Sequence, residues 1–181
     1  MSSPFALSPS PWITRFAPLI PAGGRVLDLA CGRGRHARHL ASLGYQVDAV
    51  DRDAESLASL SDIQGVTTLQ ADLEDGGWPY FGRAFDGVVV TNYLYRPLLP
   101  LILALLDENA VLIYETFMVG NERLGKPENP AFLLRKGELL DLVKGRLNVV
   151  AFEQGQIEQP RPAMVQRICA MRGGPGILPG A

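Results

Sequence analysis

Three aspartates occupy places where a small-molecule site would use them. Asp28 interrupts the apolar run in "VLDLACGRGRHA", Val26 to Ala37, just before Gly32 and Gly34. Glycines at that spacing let the backbone turn tightly and approach a ligand, and the following segment offers free amide donors. Asp51 ends "YQVDAVD", about 20 residues beyond the glycines, where a carboxylate accepts two ribose hydroxyls. Its competitor for starting the next helix is Asp53, and we assign the cap to Asp53 and the ribose to Asp51. Asp72, in "ADL", supplies an acceptor for an adenine amino group, with Leu73 beside it as an apolar surface.

Such residues need a scaffold that delivers them to one edge. Short runs rich in valine and leucine alternate with helix-compatible stretches, the pattern of a parallel sheet covered on both faces. The expected fold is α/β: a single-domain, doubly wound, seven-stranded, mostly parallel sheet. Strands are expected at Arg25–Ala30, Gln46–Val50, Thr67–Gln70, Phe85–Val90, Ala110–Glu115, Leu147–Glu153 and Ala163–Met171. Helices are expected at Arg35–Leu43, Ala54–Leu60, Arg96–Leu106 and Lys136–Val143. Only "GQIEQPRP" separates the last two strands, too little for a right-handed crossover, so they should form a C-terminal antiparallel hairpin. Ligands of such sheets bind outside the carboxyl ends of the strands. Polar or permissive residues follow the first five expected strands: "CGRG", "DRD", "ADL", "TNYLY" and "ETFMVGNE".

A chain of 181 residues with 47% hydrophobic content suits one core, expected over residues 23–172. Residues 1–22 are expected to form an N-terminal segment in which Trp12 and Phe16 are a candidate lid, and 173–181 a flexible tail. The net charge of −2 disfavours nucleic acid as a main partner. Cys31 and Cys169 offer no disulfide framework and suit no zinc site, so no metal is expected and the compartment is cytoplasmic by default. The proline-interrupted N-terminus reads as neither signal peptide nor membrane span.

Gly32, Gly34 and Ala37 also satisfy a dinucleotide-binding GxGxxA pattern. Against that reading stand Asp28 inside the strand, Asp72 at the third strand tip, and the expectation of a single domain, with no second one expected to present a substrate to a nicotinamide. Taken together, "VLDLACGRGRHA", Asp51, "ADL" and "FDGVVVTNYL" resemble the motifs of the class I S-adenosylmethionine-dependent methyltransferases. "GRGRHARHLASLGYQVDAVD" is similar to the small group that includes the tellurite-resistance methyltransferases. The resemblance covers about Arg25 to Arg172, and Ala30 departs from it, a position where the family usually has glycine. Alanine is expected to be tolerated there with φ negative.

The resemblance implies S-adenosyl-L-methionine as cofactor, held by Asp28, Ala30, Gly32, Arg33, Gly34, Asp51, Arg52, Asp72, Leu73 and Asn92. It implies in-line methyl transfer to a small-molecule acceptor, with Asn92 and Tyr93 bordering the methyl and Glu115 or Tyr93 available as base for a hydroxyl. His36 would reach the acceptor, although a histidine starting an exposed helix is commonly solvated. The long connection Thr116–Glu138 would recognise the acceptor through Asn121, Glu122 and Arg123. A monomer or homodimer is expected. The alternatives are an RNA methyltransferase using Arg33, Arg35, His36, Arg38 and His39, a nicotinamide-dependent oxidoreductase, and a non-catalytic S-adenosylmethionine-binding protein.

Overall fold

The computed structural model describes residues 8–174. Five strands run parallel: β1 (Arg25–Leu29), β2 (Gln46–Asp51), β3 (Val66–Gln70), β4 (Phe85–Thr91) and β5 (Leu106–Phe117). β6 (Asn148–Ile157) and β7 (Ala163–Met171) form the antiparallel hairpin, with β7 also antiparallel to β5. The order β3-β2-β1-β4-β5-β7-β6 is the expected seven-stranded, mostly parallel sheet. Strand order reverses between β1 and β4, which places a crevice at their carboxyl ends.

Both faces of the sheet are covered, which is why its central strands are almost continuously apolar. Leu27, Leu29, Val88, Val90, Leu112 and Ile168 face a core completed by α4 (Leu99–Ala104) and α5 (Glu138–Val143). Val26, Val47, Ala49, Val89, Ile113 and Cys169 face the opposite core, against α1 (Pro11–Phe16), α2 (Arg35–Ser42) and α3 (Ala54–Ala58). Side chains alternate along a strand, so Asp28 shares the face of Val26 and lies under α2.

The largest departures from the expected boundaries are at the start of β5 and the end of β6. The helix expected over Arg96–Leu106 is a 3-10 turn at Arg96–Leu98 followed by α4, and Leu106 already pairs with Phe85 in β5. Its leucines are buried in either state, so apolar pattern did not mark the exit. The register shift between Phe85 and Gly87, together with Asn109 at φ 65°, absorbs the extra residues of β5. β6 continues to Ile157 because pairing with β7 satisfies the backbone of its polar end, whatever the side chains are.

Candidate functional site

The turn after β1 is built by tight backbone geometry. The Cys31 amide donates to the Val50 carbonyl and the Gly34 amide to the Cys31 carbonyl, each at 2.9 Å. Ala30 has φ 55°, which corrects the expectation of a negative φ and stores left-handed strain that glycine would avoid. Gly32 and Gly34 both have positive φ, yet they do different things. A Cβ on Gly32 would meet nothing within 4 Å, so the loop faces open space there. A Cβ on Gly34 would lie 2.5 Å from the Leu60 methyls, so Gly34 serves packing rather than ligand approach.

Asp28 lies beneath this loop, fully buried, and neither carboxyl oxygen has a hydrogen-bond partner. Burial raises its carboxyl to about 7, against the opposing influence of the Ala37 backbone amide and the Arg35 charge. At the tip of β2, Asp51 accepts the Gly32 amide at 2.7 Å and the Asp53 amide at 3.0 Å. The cap of α3 is Asp53, which accepts from the Glu55 amide and the Ser56 hydroxyl. Arg33 and Arg52 are exposed beside these carboxylates. After β3, Asp72 is exposed and turns the chain by accepting the Glu74 amide at 2.9 Å. Leu73 is buried in the core, not displayed as a surface.

The second half of the site is a cleft of about 370 Å³ at the same sheet edge. Ser8–Pro11, Arg35, Asn92, Glu115, Phe117, Arg167 and the turn of the β6–β7 hairpin line it. Asn92 follows β4 at φ 53°, a left-handed conformation that asparagine tolerates, and its backbone N–H donates to the Glu115 carbonyl. The Glu115 carboxylate is occupied on both oxygens, by the Ser10 hydroxyl at 2.7 Å and by Arg167 at 3.1 Å. It anchors the cleft floor, and a free base is not what this geometry presents. Tyr93 points elsewhere: burial raises its hydroxyl, reinforced by the Glu74 and Asp72 carboxylates, so it sits neutral near the β3 turn and outside the cleft lining.

His36 is buried, contrary to the expectation of a solvated or substrate-reaching ring. Its Nε2 accepts the Ser10 amide at 3.2 Å, which fixes the proton on Nδ1, 3.2 Å from the Thr91 hydroxyl. Desolvation pulls it down to about 3, reinforced by the Arg35 charge, so it stays neutral. The basic stretch therefore does not form one patch: His36 turns inward and Arg38 is bound to Ser59. Trp12 and Phe16 pack on the sheet, with the Trp12 indole N–H on the Ile168 carbonyl, so they are core and not a lid.

The connection Thr116–Glu138 is stitched to itself. Asn121 is buried, donating to the Gly125 and Pro127 carbonyls and accepting the Met164 amide. Glu122 accepts the Gly120 amide, and Arg123 is exposed outside the cleft. Arg96 clamps the far end through Glu138 and the Ala131 and Leu133 carbonyls. Burial alone would raise the Glu138 carboxyl, but hydrogen bonds from Arg96 and the Arg135 amide bring it down to about 2. Only Phe117 of this connection lines the cleft. Sequence reasoning missed Ser10, Arg161 and Arg167. The hairpin itself was the signal, because a turn leaving a strand parallel to β5 must emerge at the ligand-binding edge.

The model of the tellurite resistance protein TehB family matches residues 17–109, just over half of the chain. The chain belongs to the TehB family. This TehB-family chain is 34% identical over 91 residues to the putative methyltransferase YqeM of Bacillus subtilis, covering 46% of the chain and 36% of YqeM. TehB from Haemophilus influenzae shares the fold with a TM-score of 0.72 at 19% identity, over 86% of this chain and 60% of that one. A SAM-dependent methyltransferase from Methanosarcina mazei matches at 0.69 and 16% identity, over 91% and 98% of the two chains. The chain thus spans less than two thirds of YqeM and of the Haemophilus TehB. Among the described residues no helix is long and apolar enough to cross a membrane.

Proposed function

We propose that this chain is an S-adenosylmethionine-dependent methyltransferase acting on a small-molecule acceptor by in-line transfer. The observation that carries the reading is Asp28, an unpartnered buried carboxylate beneath a glycine loop whose Gly32 faces open space. A buried carboxylate without donors is costly, and a ligand ammonium against the loop would supply both charge and donors. The methionine amino group is such a ligand group. A dinucleotide would bring phosphates to the same place, which ionised Asp28 repels. Asp51 spends one lone pair per oxygen on the backbone and keeps others for ribose hydroxyls. Asp72, exposed at the turn after β3, would receive the adenine amino group.

The cofactor supplies a methyl already activated on a sulfonium. The chain's own work is then to align the acceptor and exclude water. Asn92 stands at the carboxyl end of β4 between the glycine loop and the cleft, where it would border both ligands. Because Glu115 is committed to Ser10 and Arg167, the acceptor is expected to arrive with its lone pair available.

Calorimetric titration with S-adenosylmethionine, S-adenosylhomocysteine, NAD and NADP tests this directly. Binding of the two nucleosides alone is expected, and tight binding of a dinucleotide alone would overturn it. Asp51→Ala should weaken nucleoside binding by about 1 to 3 kcal/mol with the fold intact. Unchanged affinity would place the ribose elsewhere.

A further inference from the structure

The charges around the cleft are not balanced. Among the described residues, Arg167 is answered by Glu115 at 3.1 Å and Glu153 at 2.6 Å. Arg35 and Arg161 form no such pair there, and each reaches only a backbone carbonyl, of Ser8 at 3.3 Å and of Lys126 at 3.1 Å. A guanidinium carries five donors, so most of theirs are uncommitted. Arg35 also lies close enough to favour the ionised form of Asp28, so it stands between the two halves of the site. Arg161 belongs to the cleft alone.

The wall beside Arg161 is apolar. Its guanidinium sits 5.5 Å over the Phe117 ring, which fixes the charge next to a flat hydrophobic surface. Ile157, Pro160, Ala163 and Val165 continue that surface along the hairpin. At about 370 Å³ the cleft falls near the lower end of small-ligand cavities, which run from about 300 to 1,000 Å³. Arg161 is exposed, so a neutral guest would only forgo the charge-assisted contact it offers, whereas a cation would be repelled by it.

Resting on the methyltransferase reading, we propose that the acceptor is a small organic anion. Its apolar, ring-sized body lies along Ile157, Ala163 and Val165 beside Phe117, and its carboxylate or equivalent anionic group pairs with Arg161.

Three probes of one shape separate the terms: 3-phenylpropionate, its neutral amide, and 3-phenylpropylammonium, titrated calorimetrically with S-adenosylhomocysteine present and absent. The anion should bind about tenfold more tightly than the amide, as a charge-assisted contact requires, and the ammonium more weakly than either. Arg161→Gln should bring the anion to the affinity of the amide while leaving the amide and the nucleoside unchanged, and Arg161→Lys should restore part of the preference. Equal binding of anion and amide, no measurable binding of any probe, or an unaltered anion preference in Arg161→Gln would overturn the proposal. Selectivity for the anion without nucleoside binding would sink the methyltransferase reading by itself. Nucleoside binding without selectivity would sink this one.

Discussion

Asp28 shows how one side chain ties stability to ligand chemistry. Its carboxyl is raised from 3.8 to about 7, so between those values the native chain binds more protons than the unfolded chain. Stability from this group is therefore full below pH 3.8 and is lost as pH rises through 7. Between pH 6 and 8 the ligand-free protein should lose on the order of 1 kcal/mol relative to Asp28→Asn, compared by urea denaturation. Comparison with the variant cancels the opposite contribution of His36, whose lowered value penalises the fold below pH 6.5. Parallel traces would mean that Asp28 is solvated or paired. The two loop glycines should separate in the same way. Gly34→Ala adds a clash with Leu60 to left-handed strain and should cost about 1 to 3 kcal/mol of stability, whereas Gly32→Ala carries only the left-handed strain of about 1 kcal/mol and should also weaken nucleoside binding. Both glycines were visible in the sequence, but identical spacing concealed that one faces a leucine and the other open space.

The N-terminal strap behaves as an element whose role only packing reveals. Ser10 caps α1 by accepting the Trp12 amide, donates its hydroxyl to Glu115, and gives its amide to His36. Ser10→Ala removes a cap and a buried hydrogen bond, and should cost about 1 to 2 kcal/mol. Amide hydrogen exchange across residues 8–17 should accelerate, with little change in β1 or β2. Unchanged protection would show that the strap is held by its aromatic residues alone. At this scale the strands and the hairpin were legible, because apolar runs and a short polar connection leave few topologies. Less legible were the exit from α4 and the inward turn of the connection after β5. Leucines are buried in helix and strand alike, and the bonding of Asn121 depends on carbonyls four and six residues away in a folded loop.

The whole molecule couples these parts through one sheet edge. Ionised Asp28 is penalised in the ligand-free protein, so a ligand that brings an ammonium against it should relieve a larger penalty at higher pH. S-adenosylhomocysteine at a fixed saturating concentration is therefore expected to raise the thermal midpoint more at pH 8 than at pH 5.5. The difference should vanish in Asp28→Asn. An equal rise at both pH values in the native sequence would show that the amino group does not reach Asp28.

The sequence by itself determined the α/β class, the seven strands, the hairpin and the three aspartates, because periodicity and strand-tip chemistry are local properties of the chain. Tertiary structure decided which polar groups are free and which are already used. Asp28 is left without a partner, while Glu115, His36 and Asn121 are bound within the fold. It also decided that Arg161 and Arg167, far along the chain from the glycine loop, share a cleft with Asn92. Those outcomes depend on which groups meet across the sheet, and residue type and spacing do not carry that information.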